Sequence, residues 1–82
     1  MEDKEYNELV ESFGGRAVGL TFNPSHLLSV QVIKTQIANT INELHQSRLE
    51  AEDPEVKRML SVAITELQTA QMWAVKALTW RN

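Results

Sequence analysis

The segment Gly14-Gly15-Arg16-Ala17-Val18-Gly19-Leu20-Thr21-Phe22-Asn23-Pro24-Ser25 holds the residue types that suit an anion. Glycines let backbone N–H groups approach a phosphate, and the Arg16 guanidinium can bind one bidentately. The start of the following helix would add positive partial charge. Phe22 and the earlier Tyr6 offer aromatic faces on which a base can stack. The pattern also suits a structural connector, because glycine-rich stretches ending in a helix cap are common. A second polar set is Arg58, Ser61 and Thr65, whose spacing places them along one strip of a helix beside Lys57. A basic residue with two hydroxyls can hold phosphate, and an exposed polar helix face is the plain alternative.

No catalytic constellation accompanies these residues. The two histidines, His26 and His45, stand at opposite ends of one expected helix, ~29 Å apart by helix rise, and cannot share a metal within a monomer. The chain has no HExxH, GxSxG or GxxxxGK[ST] motif. It has no cysteine, which excludes a disulfide framework and any cysteine-ligated metal. Neither a catalytic residue, a metal site nor a cofactor is expected.

The elements that position these residues read as all-α. Tyr6, Leu9, Val10 and Phe13 recur at helical spacing, so residues 1–13 form a short helix, stopped by Gly14 and Gly15. Residues 14–24 have no helical period and read as a loop, with a short extended piece at Leu20–Phe22. Asn23 or Ser25 caps the next helix, with Pro24 in its first turn. That helix runs over 24–50 with Leu27, Val30, Ile33, Ile37, Ile41 and Leu44 on one face. Asp53-Pro54 opens the last helix, over 54–80. One of its stripes carries Val56, Met59, Leu60, Ala63, Leu67, Ala70, Ala74 and Ala77. A second carries Ile64, Met72, Trp73, Val75, Leu78 and Trp80. The short turn makes the two long helices an antiparallel hairpin, within a single domain spanning 1–82.

Size and charge narrow the function. A chain of 82 residues with 43% apolar residues is too short for a two-domain enzyme and must gain stability from packing, including packing on copies of itself. The stretch Met72–Trp80 is apolar on nearly every side, and a helix apolar on two faces needs two neighbours. A homo-oligomer is therefore expected. Charge balances are −4 over residues 1–12, +2 over 13–49 and −1 over 50–82, for a net −3. That does not favour DNA binding through a broad basic face. No apolar run approaches a membrane span, and the acidic MEDKEYNE start lacks the apolar core of a secretory signal, so a cytoplasmic protein without a membrane partner is expected.

Two motifs occur together: Phe22-Asn23-Pro24-Ser25 before the first long helix and Met72-Trp73-Ala74-Val75-Lys76-Ala77-Leu78-Thr79-Trp80 closing the second. With the hairpin between them, the chain resembles the phage anti-CBASS sponge proteins of the second type, over roughly residues 20–80. CBASS is a bacterial antiphage system that signals through cyclic oligonucleotides. The resemblance implies a homohexamer in the cytoplasm of the infected bacterial host. It would bind cyclic di- and trinucleotides without cleaving them and so block activation of the host effector.

The resemblance also implies site residues. Tyr6 would be the aromatic that stacks on a base of a cyclic dinucleotide, in a pocket between protomers. Phe22, Asn23, Pro24 and Ser25 would shape that pocket. The family's pocket uses a lysine next to this motif. Here the residue before Phe22 is Thr21, and no lysine lies between Lys4 and Lys34. Arg16 or Thr21 would take over the phosphate contact. A separate cyclic trinucleotide pocket would use Arg58, Ser61 and Thr65, and Trp73 and Trp80 would anchor subunit packing. The alternative function is a structural or protein-interaction helical oligomer with no small ligand. An enzyme degrading the same signals is disfavoured by the missing acid–base and metal groups.

Overall fold

The computed structural model describes residues 4–81, all-helical apart from turns and short connections. Four helices follow in order: α1 (Lys4–Glu11), α2 (Phe13–Val18), α3 (Leu28–Glu50) and α4 (Pro54–Leu78). The part of the expected first helix that falls on residues 1–3 lies outside the described residues. Helices α3 and α4 are joined by residues 51–53 and form the expected antiparallel hairpin. Asp53 starts α4 as the sequence predicts. Its side chain accepts from the Glu55 N–H at 2.9 Å, and Pro54 takes the first turn, where its missing N–H costs nothing.

The expected loop over 14–24 is instead partly helical. Ser12, not the glycine pair, ends α1, and it caps α2. Its Oγ accepts from the Gly15 N–H at 3.0 Å and donates to the Leu9 carbonyl at 2.6 Å. The glycines sit inside α2 because two backbones pass too close for a side chain. A Cβ at Gly14 would lie 2.1 Å from the Ala38 carbonyl oxygen, and one at Gly15 would lie 1.9 Å from that of Leu9. Helix α2 ends at Gly19, and the expected extended piece is a turn in which the Phe22 N–H donates to the Gly19 carbonyl at 2.9 Å.

Helix α3 begins at Leu28 rather than residue 24, with no side-chain cap. Residues 23–27 close on themselves instead. The His26 N–H donates to the Asn23 carbonyl at 3.0 Å, and the Ser25 hydroxyl to Asn23 Oδ1 at 2.7 Å. Asn23 Nδ2 then donates to the Leu27 carbonyl at 3.0 Å. His26 has φ of 58°, a left-handed conformation that cannot continue a right-handed helix.

The core joins Val18 and Leu20 from the α2 end, Ala38 and Ile41 from α3, and Ile64 from α4. Tyr6, Leu9, Val10 and Phe13 pack on it, as their spacing predicts. The inner stripe of α3 is Val30, Lys34, Ala38 and Ile41, at steps of four, four and three. On α4 the buried residues are Ile64, from the second apolar stripe, and Gln71, whereas Val56 and Met59 of the first stripe are exposed. The chain measures 45 × 35 × 13 Å along its principal axes.

Candidate functional site

The Phe22–Ser25 turn forms one wall of a cavity of about 180 Å³, with Val30 and Lys34 of α3, Val75 of α4 and Thr79 just past its end forming the rest. Lys34 organises it. Only 3% of the residue is exposed, yet its ammonium hydrogen-bonds neutral carbonyls, donating to those of Gly19 (3.0 Å) and Phe22. It also lies 5.4 Å from the centre of the exposed Phe22 ring. Burial pushes its pKa below the ordinary lysine range, because the charged form loses water without gaining a carboxylate. An ammonium has three donors, and two are used here.

The sequence places no lysine near this motif, since Lys34 is twelve positions beyond Phe22; the fold brings it there. The available signal was a charged residue on the inner period of α3. Arg16 and Thr21, the two expected substitutes, are both exposed, and neither lines the cavity. Nor do the glycine amides form an anion cradle. The Gly14 N–H donates to Asn42 Oδ1 at 2.7 Å, the Gly15 N–H to Ser12, and the Gly19 N–H back to the Arg16 carbonyl at 3.2 Å.

Tyr6 lies on a separate cleft of about 270 Å³, with Glu5, Leu9, Thr35 and Asn39. Gln31 of α3 donates to its hydroxyl at 3.0 Å, which orients the half-buried ring. Within one chain, Tyr6 and the Phe22–Ser25 turn therefore line different hollows.

Arg58, Ser61 and Thr65 do come together, with Val62 and Glu66, along an open groove of about 390 Å³ on α4. Arg58 is already engaged: its Nε and Nη2 donate to the two carboxylate oxygens of Glu55 at 3.0 and 2.6 Å. That contact raises the pKa of Arg58 and lowers that of Glu55. Ser61 accepts from Arg48 at 3.0 Å.

The Phe22–Ser25 turn leads into the long hairpin and the Met72–Trp80 stretch closes it, and a family model for the Acb2/Tad1 hairpin domain matches residues 16–79. The chain belongs to that family. The Acb2/Tad1 family is the anti-CBASS sponge family, a family of binding proteins rather than enzymes. The matched span takes in the Phe22–Ser25 turn, Lys34, the α4 groove and Trp73. Tyr6 and Trp80 fall outside it. No curated protein and no solved structure matches the chain significantly.

The far end of this Acb2/Tad1 hairpin carries exposed apolar residues. Met72, Trp73 and Trp80 are 61%, 65% and 59% exposed, and the Lys76 ammonium lies 5.3 and 5.7 Å from the two indole centres. Among the described residues, no group of three acidic or histidine side chains is placed to hold a metal ion. No described helix is long and apolar enough to cross a membrane.

Proposed function

We propose that this chain sequesters cyclic di- and trinucleotide immune signals intact, lowering their free concentration in the infected bacterial cytoplasm so that the CBASS effector stays inactive. The family match over residues 16–79 carries this reading. Sequestration needs no general base or nucleophile; it needs affinity and abundance.

The dinucleotide site uses Tyr6 for base stacking and the Phe22-Asn23-Pro24-Ser25 turn for pocket shape. Lys34, whose third donor is unassigned, is better placed for phosphate than Arg16 or Thr21. Because Tyr6 and the turn line different hollows of one chain, a ligand touching both is held between protomers. A chain 13 Å thick in its smallest dimension cannot enclose a cyclic dinucleotide alone, which supports the same arrangement. The trinucleotide site uses Arg58, Ser61 and Thr65 from several copies. A homohexamer with Trp73 and Trp80 buried at its seams accounts for their exposure in the single chain.

The test is calorimetric titration with a panel of cyclic di- and trinucleotides, followed by chromatography of the ligand after denaturation. Binding with intact ligand is expected. One dinucleotide per about two subunits indicates a two-fold pocket, and one trinucleotide per about three a three-fold pocket. A linear product, or no binding by any member of the panel, overturns the proposal. The exposed tryptophans also favour a second reading, a helical oligomer without a small ligand. In that case Tyr6→Ala leaves every binding property unchanged.

A further inference from the structure

One cluster beside the α4 groove joins three helices through Arg48, near the end of α3. Its Nη1 donates to Ser61 Oγ at 3.0 Å and its Nη2 to His45 Nδ1 at 2.8 Å. The guanidinium carbon lies 5.4 Å from the centre of the Phe13 ring, and that ring stacks on His45 at 4.1 Å and 9°.

The direction of both contacts is fixed by chemistry. Arginine has donors and no acceptor, so Ser61 Oγ and His45 Nδ1 must both accept. His45 is thereby held with its proton on Nε2. The Ser61 oxygen has one lone pair occupied by Arg48, and its proton remains to be donated elsewhere. A helical serine or threonine ordinarily returns that proton to the carbonyl four residues back. Thr69 does so to Thr65 at 3.2 Å, and Thr79 to Val75 at 2.7 Å. Ser61 makes no such bond among the described residues, and it lines the groove with Arg58 and Thr65.

We propose that Arg48 is a positioning residue for phosphate in this groove. It presets the Ser61 hydroxyl as a donor and sets a fixed positive charge behind it. Phe13 and His45 hold the guanidinium before ligand arrives, so its rotamer freedom is not lost on binding. The inference rests on reading the groove as the trinucleotide site.

A double-mutant cycle tests it, with cyclic triadenylate and a cyclic dinucleotide as calorimetric probes on the assembled protein. Arg48→Lys keeps the charge but replaces the two nitrogens that meet Ser61 and His45 with a single one. It should weaken triadenylate binding by ~10-fold, with dinucleotide binding unchanged. In a Ser61→Ala background the same substitution should add less than ~2-fold, because the bond it breaks is already gone. Arg48→Gln, which keeps a donor, serves as a second variant if Arg48→Lys does not fold. Additive losses, or equal losses for both ligands, overturn the inference and leave the groove assignment standing. A nitrogen-15 spectrum showing the proton of His45 on Nδ1 also overturns it. Wild-type protein that binds the dinucleotide but not triadenylate overturns the groove assignment and this inference together.

Discussion

Gln31 and Lys34 stand one turn apart on α3 and anchor the two parts of the candidate dinucleotide site. Gln31 donates to the Tyr6 hydroxyl, and Lys34 donates to the Gly19 and Phe22 carbonyls. Residues three apart on a helix are neighbours, so one segment of α3 sets both the Tyr6 ring and the turn. The aromatic comes from α1 and the turn from the segment before α3, yet their geometry is referred to a single rigid element.

The buried charge of Lys34 has a pH signature. Its folded pKa lies below its unfolded value, so the unfolded chain binds more protons between the two. The penalty for burying the ammonium is complete below the folded pKa and fades as pH rises toward the ordinary lysine value. Relative to Lys34→Met, which does not titrate there, wild type should therefore gain melting temperature across that alkaline window. At neutral pH the same variant should lose ~10-fold or more in dinucleotide affinity, as the Phe22 carbonyl loses its charged partner. A flat difference curve would show that Lys34 is not desolvated.

The glycine pair makes a stability prediction. A methyl group at Gly14 would meet the Ala38 carbonyl, a backbone atom that cannot rotate away. Gly14→Ala should cost about 2–3 kcal/mol by overpacking. For a domain of this size that is a drop of about 10–20 °C in melting temperature. Calorimetric or circular-dichroism melts check it. An unchanged midpoint would mean that α2 does not press on α3.

Glu55 restrains the residue expected to meet a trinucleotide phosphate. The Glu55–Arg58 pair is exposed, so its own contribution to stability is small. For an incoming anion the carboxylate is both a competitor for the guanidinium and a like charge. Glu55→Gln should raise trinucleotide affinity by ~3-fold or more and leave dinucleotide affinity unchanged. Titrations at two salt concentrations should show the gain shrinking as salt rises. A loss of affinity would mean that Glu55 orients Arg58 for the ligand rather than withholding it.

The parts of this structure that were legible in the sequence are those set by local rules. Asp53-Pro54 announces a helix start through its own cap, and the strip of Arg58, Ser61 and Thr65 follows from helical spacing alone. The parts that were not legible depend on what lies across a contact. Gly14-Gly15 reads as a helix stop because glycine favours ends. Here it is tolerated inside α2 since Ala38 and Leu9 come too close for a larger residue. Ser12 caps α2, but its partner Asn42, which donates to Ser12 Oγ at 2.9 Å and accepts from Gly14, is thirty residues away. Lys34 joins the Phe22–Ser25 turn only when that turn folds back over α3. Pro24 reads as a first-turn proline, yet the internal hydrogen bonds of residues 23–27 and the left-handed His26 hold it in a turn.

The exposed end of α4 bears on assembly. Trp73 and Trp80 flank Lys76, and each indole leaves more than half its surface open in the single chain. Large aromatic residues that become buried at an interface are the ones whose truncation costs most, about 2 kcal/mol or more. Trp73→Ala should thus weaken subunit association by at least ~30-fold. Light scattering coupled to size-exclusion chromatography should show a smaller assembly at low micromolar concentration. Sites shared between protomers would be lost with it, so dinucleotide and trinucleotide affinity should fall together. Tyr6→Ala should remove only the first, at the ~5- to 150-fold that one base–aromatic stack contributes. An unchanged mass for Trp73→Ala would place the seam elsewhere on the chain, and an unchanged dinucleotide affinity alongside a reduced mass would place that pocket within a single protomer.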